Sequence, residues 1–108
     1  MIAMEKITTE KQYHNQIGKD EFTILKFYTN WCPDCKNLDR FIGDVVIENS
    51  DKEWLEIDAE QLQHIAEEND VRGIPSLLAF KNGQKVGHLH SKFAKTPDQI
   101  REFLSTLS

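Results

Sequence analysis

Cysteine is scarce in this 108-residue chain, which carries only Cys32 and Cys35. A structural zinc site with four cysteine ligands needs a second pair, and a scaffold held by several disulfides needs more still, so both classes are excluded. A mononuclear metal site shared by two chains through their paired cysteines stays open, although we expect no metal and no cofactor. Internal repeats, low-complexity tracts and an interdomain linker are also absent, which indicates an ordinary globular chain.

Runs of positive charge are missing as well. The 13 Lys and Arg residues are outnumbered by 18 Asp and Glu residues, for a net charge of −5. Nucleic-acid binding requires clustered basic side chains, so no nucleic-acid partner is expected. No apolar run approaches the length of a membrane span, and charge appears within the first five residues, before a secretory hydrophobic segment has formed. We therefore expect a cytoplasmic protein with no membrane partner.

The overall composition is that of a single folded unit. Charged residues make up 29% and hydrophobic residues 39% of the chain, which are typical values for a globular domain. A chain of this length can bury a substantial core without disulfide support. One domain over residues 1–108, present as a monomer, is therefore the expectation.

Hydrophobic periodicity and capping motifs predict alternating strands and helices. Strands are predicted over residues 5–7, 22–28, 54–58, 76–80 and 85–90. Helices are predicted from the Thr9 cap to Gly18, along an apolar stripe (Leu38, Phe41, Ile42, Val45 and Val46), from an Asp58 cap to Asn69, and after a Thr96 cap through Leu107. This order predicts an α/β fold, with a mixed sheet and helices on both faces.

The two cysteines lie where the second predicted strand gives way to the second predicted helix. Cys35 is three residues before Leu38, so it belongs to the buried stripe of that helix. Cys32 lies at the helix start, where Pro33 is tolerated because its missing N–H has no partner in the helix. We therefore expect one exposed and one covered sulfur. This arrangement is typical of a reversible dithiol, and it predicts thiol–disulfide redox chemistry.

Charges near Cys32 act in opposite directions on its thiolate. The helix N-terminus favours the thiolate, whereas the Asp34 carboxylate in the same turn opposes it. We expect Lys36 to offset part of that opposition. The balance predicts a moderately activated nucleophile.

Three segments together resemble the thioredoxin family, over nearly the whole chain. They are Trp-Cys-Pro-Asp-Cys-Lys at 31–36, Val-Arg-Gly-Ile-Pro-Ser at 71–76 and Phe-Lys-Asn-Gly at 80–83. The Cys-Pro-Asp-Cys active site is similar to that of the thioredoxin-related proteins rather than the standard thioredoxins. The resemblance implies the thioredoxin fold, with a mixed sheet of four or five strands, and a cis peptide between Ile74 and Pro75 that lies against the dithiol.

The resemblance also implies a disulfide reductase. Cys32 would attack a substrate disulfide as nucleophile to form a mixed disulfide, and Cys35 would resolve it. Substrates would be disulfide-containing proteins or small molecules, with an upstream reductase or a low-molecular-weight thiol as electron donor. Substrate contacts are implied for Trp31, Pro33, Asp34, Ile74, Pro75 and Phe93. Of these, Ile74 would offer its backbone to an extended segment, and Trp31 would form an apolar rim.

Lys26 departs from the family pattern. The family usually places a buried Asp here, which helps to deprotonate the resolving cysteine, and the Lys that partners this Asp aligns with Trp54. Two interpretations of Lys26 are open. In the first, its ammonium group either reaches solvent or pairs with Glu56. In the second, Lys26 acts as a proton relay for Cys35.

Two other functions stay open beside a general disulfide reductase. A non-catalytic binding module would keep the fold and use the groove only to hold a partner. A narrow reductase would act on small disulfides, nitrosothiols or persulfides. Phe93 falls near a position where the family usually has a groove-lining Gly, and crowding by this ring favours narrower scope. His88 and His90 alternate on one strand, but no third metal ligand accompanies them.

Overall fold

A five-stranded mixed sheet lies at the centre of the computed structural model, which describes residues 4–107. The strands are β1 (Glu5–Ile7), β2 (Thr23–Tyr28), β3 (Glu53–Asp58), β4 (Ser76–Lys81) and β5 (Gln84–Leu89), in the spatial order β1-β3-β2-β4-β5. The first three strands are parallel, and β4 is antiparallel to both β2 and β5. The predicted mixed sheet is thus confirmed. Residues 1–3, part of the segment from which the absence of a leader was predicted, and Ser108 lie outside the described residues.

Helices cover both faces of this sheet, as predicted. They are α1 (Glu10–Ile17), α2 (Pro33–Glu48), α3 (Gln63–Glu68) and α4 (Pro97–Ser105), with a 3₁₀ turn at Ser91–Phe93. Side chains of β2 alternate between two cores, with Leu25 and Phe27 beside α1 and α3, and Ile24 beside α2 and α4. Between residues 4 and 107, none of the helices is both long and apolar enough to cross a membrane.

Local sequence signals set several of these boundaries. Capping boxes begin α1 at Thr9 and α4 at Thr96, and in each the third helical residue is a glutamine that bonds back to the cap. Asn82 and Gly83 have φ of 54° and 81°, the left-handed values that a two-residue hairpin turn between β4 and β5 requires. The helix caps predicted at Thr9 and Thr96 are confirmed.

The start of α3 was predicted wrongly. Asp58 was expected to cap this helix, but its Oδ1 instead accepts hydrogen bonds from the Glu60 and Gln61 N–H groups, at 2.8 and 3.3 Å. Asp58 therefore stabilises a separate turn, and the regular helix begins only at Gln63. At the end of the chain α4 stops at Ser105, so Leu107 packs against the core from beyond the helix.

The position of α2 depends on its apolar face. The buried residues of this helix are Cys35, Leu38, Ile42, Val45 and Val46, while Phe41 is only partly buried. Near its C-terminal end, Glu48 accepts two hydrogen bonds from the Arg101 guanidinium of α4, at 2.9 and 3.0 Å. The helix is therefore fixed against both the sheet and α4, and so is the cysteine pair at its start.

His88 on β5 is an unusual titratable group outside this region. Its ring stacks on His90 with centroids 3.9 Å apart, and Lys85 Nζ lies 3.2 Å from its Nδ1. Burial, together with the charges of His90 and Lys85, lowers the pKa of His88 to about 4. No group of three or more His, Cys, Asp or Glu side chains is arranged to hold a metal ion within the described part of the chain.

The depressed pKa makes stability depend on pH. An unfolded histidine binds a proton near pH 6.5, whereas His88 in the folded chain does so only near pH 4. Acidification through this window therefore favours unfolding. We expect His88→Gln to lose less stability than the wild type between pH 7 and pH 4.5, as measured by urea unfolding. His14→Gln, at an exposed histidine of α1, is the matched control. Equal losses in wild type and His88→Gln would contradict this assignment.

Candidate active site

Cys32 and Cys35 form a disulfide at the start of α2. Cys32 is the N-cap residue, and its Sγ accepts a hydrogen bond from the Cys35 N–H at 3.1 Å. Pro33 occupies the first helical turn, as predicted. The sulfur of Cys32 is therefore placed among the free N–H groups of the helix, where negative charge is favoured.

The predicted contrast between an exposed and a covered sulfur is not observed. Cys32 and Cys35 are each only 3% exposed. The disulfide holds Cys32 against the helix, and the carbonyl oxygen of Ile74 lies 3.8 Å from its Sγ. In the oxidised protein the chain before Pro75 thus covers the sulfur that was expected to face solvent.

The loop that covers the disulfide has the predicted conformation. The Ile74–Pro75 peptide is cis. Ser76 Oγ donates a hydrogen bond to the Gly73 carbonyl at 2.6 Å. Gly73 also approaches the 3₁₀ turn closely, because a Cβ at this position would lie 3.3 Å from the Cβ of Ser91. The loop is therefore packed between the disulfide and the 3₁₀ turn.

A groove of about 310 Å³ has Ile74 in its lining and neither cysteine. Its lining residues are Thr29, Ala59, Glu60, Gln63, Ala66, Glu67, Val71, Arg72, Gly73 and Ile74. Trp31 is 64% exposed at the rim, and its Nε1 donates a hydrogen bond to Glu60 Oε1 at 3.1 Å. An exposed indole held beside a groove offers apolar area to a docking partner.

Phe93 lies elsewhere. It is 49% exposed in the 3₁₀ turn and does not line the groove that contains Ile74. It lines a separate cavity of about 320 Å³ with Leu89, Gln99, Glu102, Phe103 and Thr106. The ring is thus placed beside α4, and the groove beside Ile74 is free of it.

Asp34 has a partner that the sequence analysis missed. Its Oδ2 accepts a hydrogen bond from Lys95 Nζ at 2.7 Å, across 61 positions of sequence. Only Lys36 had been named as a compensating charge, because a partner at that distance along the chain leaves no local signal. The pair joins the first turn of α2 to the segment before α4.

Lys26 is buried beneath α2, at 3% exposure. Its Nζ lies 2.9 Å from Glu56 Oε2 and also pairs with Asp39, so the predicted pairing with Glu56 is observed. Glu56 accepts a second hydrogen bond, at 2.8 Å, from Lys6. Burial raises the pKa of Glu56, but the hydrogen bonds from Lys6 and Lys26 outweigh it and leave that pKa below its ordinary value.

Asp39 is the residue of α2 that pairs with Lys26. It follows Cys35 by four residues, so the two side chains lie on the same face of α2. Lys26 therefore contacts α2 one helical turn after Cys35. The spacing from Cys35 was a sequence signal that could have identified Asp39.

Comparison with known proteins places these features in context. The sequence matches the family model described as Thioredoxin over residues 4–106. Thioredoxin-1 of Saccharomyces cerevisiae is 30% identical over 78 residues, which cover 72% of this chain and 76% of the relative. The mitochondrial Thioredoxin-2 of Schizosaccharomyces pombe is 29% identical over 84 residues, or 78% of this chain. The match covers 63% of that relative, so this chain spans less than two thirds of its length.

The fold is found among solved structures as well. The oxidised form of mitochondrial Thioredoxin 3 from Saccharomyces cerevisiae superposes with a TM-score of 0.84 at 22% identity. The superposition covers 96% of this chain and 95% of the yeast chain. The central sheet with helices on both faces is therefore the thioredoxin fold.

One buried hydroxyl at the groove has no hydrogen-bond partner among residues 4–107. Thr29 is 4% exposed, and its Oγ1 makes no hydrogen bond there. At the other end of β2, the buried Thr23 hydroxyl donates to the Gln16 carbonyl at 3.3 Å and accepts from Gln16 Nε2 at 3.2 Å. These two threonines form a matched pair that differs in hydrogen bonding.

We expect Thr29→Val to stabilise the protein by about 1 kcal/mol, because it replaces an unsatisfied buried hydroxyl with a methyl group of the same shape. Thr23→Val should instead destabilise it by about 1 kcal/mol, because two hydrogen bonds are lost. Chemical denaturation of both variants measures the difference. Destabilisation of both variants to the same degree would show that the Thr29 hydroxyl is satisfied in solution.

Proposed function

This chain belongs to the thioredoxin family of thiol–disulfide oxidoreductases, and from that premise we propose that it reduces disulfide bonds in its partners. The observation that carries the proposal is the Cys32–Cys35 disulfide at the N-terminus of α2, beside the cis Ile74–Pro75 loop. Because both cysteines lie at the start of the same helix, the pair can be oxidised and reduced without a rearrangement of that helix.

The reaction transfers two electrons from the reduced dithiol to the substrate. The Cys32 thiolate attacks one sulfur of a substrate disulfide, so that a Cys32–substrate bond forms and the other substrate sulfur leaves as a thiolate and takes up a proton. Cys35 then attacks Cys32 Sγ, closing the intramolecular disulfide and releasing the second substrate thiolate. The disulfide described above is the product state of this cycle.

The start of α2 supports the role of Cys32 as the nucleophile. Its Sγ already accepts the Cys35 N–H, and that hydrogen bond becomes stronger when the sulfur carries a negative charge. The partial positive charge of the helix N-terminus adds to this stabilisation. We expect a reduction potential within tens of mV of about −270 mV, the value established for thioredoxin.

We assign substrate contact to Trp31, Pro33, Asp34, Ile74 and Pro75. The loop residues would meet an extended segment of the substrate next to its disulfide, while the exposed Trp31 ring would cover apolar side chains. We propose general reduction of protein disulfides, with a narrow reductase of small disulfides, nitrosothiols or persulfides as the alternative.

A protein that reduces disulfides must itself be reduced again after each cycle, which requires a reducing compartment. We therefore propose a cytoplasmic monomer that is reduced by an upstream reductase or a low-molecular-weight thiol. The net charge of −5 keeps like copies apart and supports the monomer.

For Lys26 we propose a role in proton transfer at Cys35. Its ammonium group is held by Asp39, one helical turn from Cys35, and by Glu56 in the neighbouring strand. A buried cation in this position favours the Cys35 thiolate, which is the form that resolves the mixed disulfide. The family usually has an Asp at this position, whose carboxylate can accept the Cys35 proton. The Lys26 ammonium group would instead act by stabilising the Cys35 thiolate.

The pH–rate profile of disulfide reduction tests this role. Lys26→Met should move the alkaline side of the profile and lower the rate near neutral pH by about a hundredfold, the lower end of general acid–base contributions. Lys6→Met is the matched control, because Lys6 binds the same Glu56 but is exposed. Superimposable profiles for wild type and Lys26→Met would dismiss the relay.

Catalysis itself is tested by insulin reduction with dithiothreitol as the electron source. The wild type should accelerate precipitation of the insulin chains, and Cys32→Ser should abolish the acceleration. Cys35→Ser should accumulate a mixed disulfide on Cys32 that mass spectrometry detects. A wild-type rate no faster than dithiothreitol alone would favour the non-catalytic binding module.

A further inference from the structure

We infer that Lys95 is a positioning residue that sets the reactivity of Cys32 by neutralising the Asp34 carboxylate. This inference rests on the proposed function, since it concerns the nucleophile of that reaction. The observation behind it is the ion pair between Asp34 Oδ2 and Lys95 Nζ at 2.7 Å. The pair joins two segments that are distant in sequence and adjacent at the active site.

The Asp34 carboxylate opposes a thiolate at Cys32. It lies in the first turn of α2, two residues after the N-cap sulfur. A carboxylate within one helical turn repels a second negative charge and reduces the benefit of the helix N-terminus. An unpaired Asp34 would therefore make Cys32 a weaker nucleophile near neutral pH.

Lys95 is held in place to counter this charge. Its backbone N–H donates to Gln99 Oε1 at 2.8 Å, beside the capping box that begins α4 at Thr96. Its side chain is about half exposed, so the ion pair is accessible to solvent and ions. The cap of α4 thus fixes the backbone from which Lys95 reaches Asp34.

Other charged residues lie on the segments that carry the active-site residues and on the segments next to them. They are Lys36 and Asp39 on α2, Lys26 on β2, Asp58 at the end of β3, Glu60 on the following turn, Arg72 before the cis peptide and Lys92 in the 3₁₀ turn. Lys26 and Asp39 pair with each other, and Glu60 accepts from Trp31. Lys92 lies over the Phe93 ring, with Nζ 5.1 Å from its centroid. Lys95 is the lysine that meets the Asp34 carboxylate directly.

The thiolate absorbance of the reduced protein tests the inference without any substrate. Lys95→Met should move the Cys32 titration midpoint to higher pH and lower its alkylation rate at pH 6 by about two- to fivefold, the scale of exposed ion pairs. The difference should shrink in 0.5 M NaCl, because salt screens exposed charges. Lys95→Arg, which keeps the pair, should restore the wild-type midpoint.

Two further variants separate electrostatics from structure. Adding Asp34→Asn to Lys95→Met removes the unpaired carboxylate and should return the midpoint close to the wild-type value. Lys92→Met removes a lysine from the same segment without breaking the pair and should leave the midpoint unchanged. A merely structural role for Lys95 would lower thermal stability and leave the midpoint in place, and that result overturns the inference.

Insulin reduction distinguishes failure of this inference from failure of the proposed function. A wild-type protein that reduces insulin, with Lys95→Met at the same rate and the same titration midpoint, overturns only the inference. A wild-type protein that does not reduce insulin overturns the proposed function. A shifted midpoint in that protein would still establish the effect of Lys95 on Cys32.

Discussion

The hydrogen bond from the Cys35 N–H to Cys32 Sγ, at 3.1 Å, is the contact on which the rest of the site depends. It makes a reactive sulfur the cap of a helix, in a place where proteins usually put a Ser, Thr, Asp or Asn oxygen. The apolar face of α2 holds that cap still, because residues from Leu38 onward are fixed between the sheet and α4. The cis loop then closes over the sulfur from the other side. The position of the reactive sulfur is therefore set by the packing of α2 and of the cis loop.

Beneath the same helix lies Lys26, a buried positive charge at a position where the family usually has a negative one. Burying an isolated ammonium group costs several kcal/mol, so Lys26 is tolerated only because Glu56 and Asp39 compensate it. The partner expected from the family alignment, Trp54, instead donates its indole N–H to the Asn49 carbonyl at 3.0 Å. The negative charges that compensate Lys26 thus come from two other positions, Glu56 on β3 and Asp39 on α2.

Short-range signals in the sequence predicted most of the fold. The capping boxes at Thr9 and Thr96 and the Asn82–Gly83 turn act within four residues, so each could be read directly from the sequence. The redox-active cysteine pair could be predicted from its position between a strand and a helix, whereas the cis Ile74–Pro75 peptide was implied only by the resemblance to a family. Asp58 shows the limit of this reasoning, because the same side chain can cap either a helix or a turn and local sequence does not choose between them.

Contacts between distant segments account for what the sequence did not predict. The Asp34–Lys95 pair, the covering of Cys32 by Ile74 and the packing of the 3₁₀ turn against Gly73 each join segments that are far apart in sequence. No periodicity or spacing encodes that packing. The site is therefore predictable at its two sulfurs and unpredictable in the charges and rings that surround them.

The most direct test of this account is the order in which the two cysteines of the reduced protein react. Limiting iodoacetamide at pH 7, followed by tandem mass spectrometry, assigns the label to each sulfur. We predict that Cys32 is labelled at least about tenfold ahead of Cys35, because the helix N-terminus and the Cys35 N–H stabilise the Cys32 thiolate. Equal labelling, or labelling of Cys35 first, would contradict it.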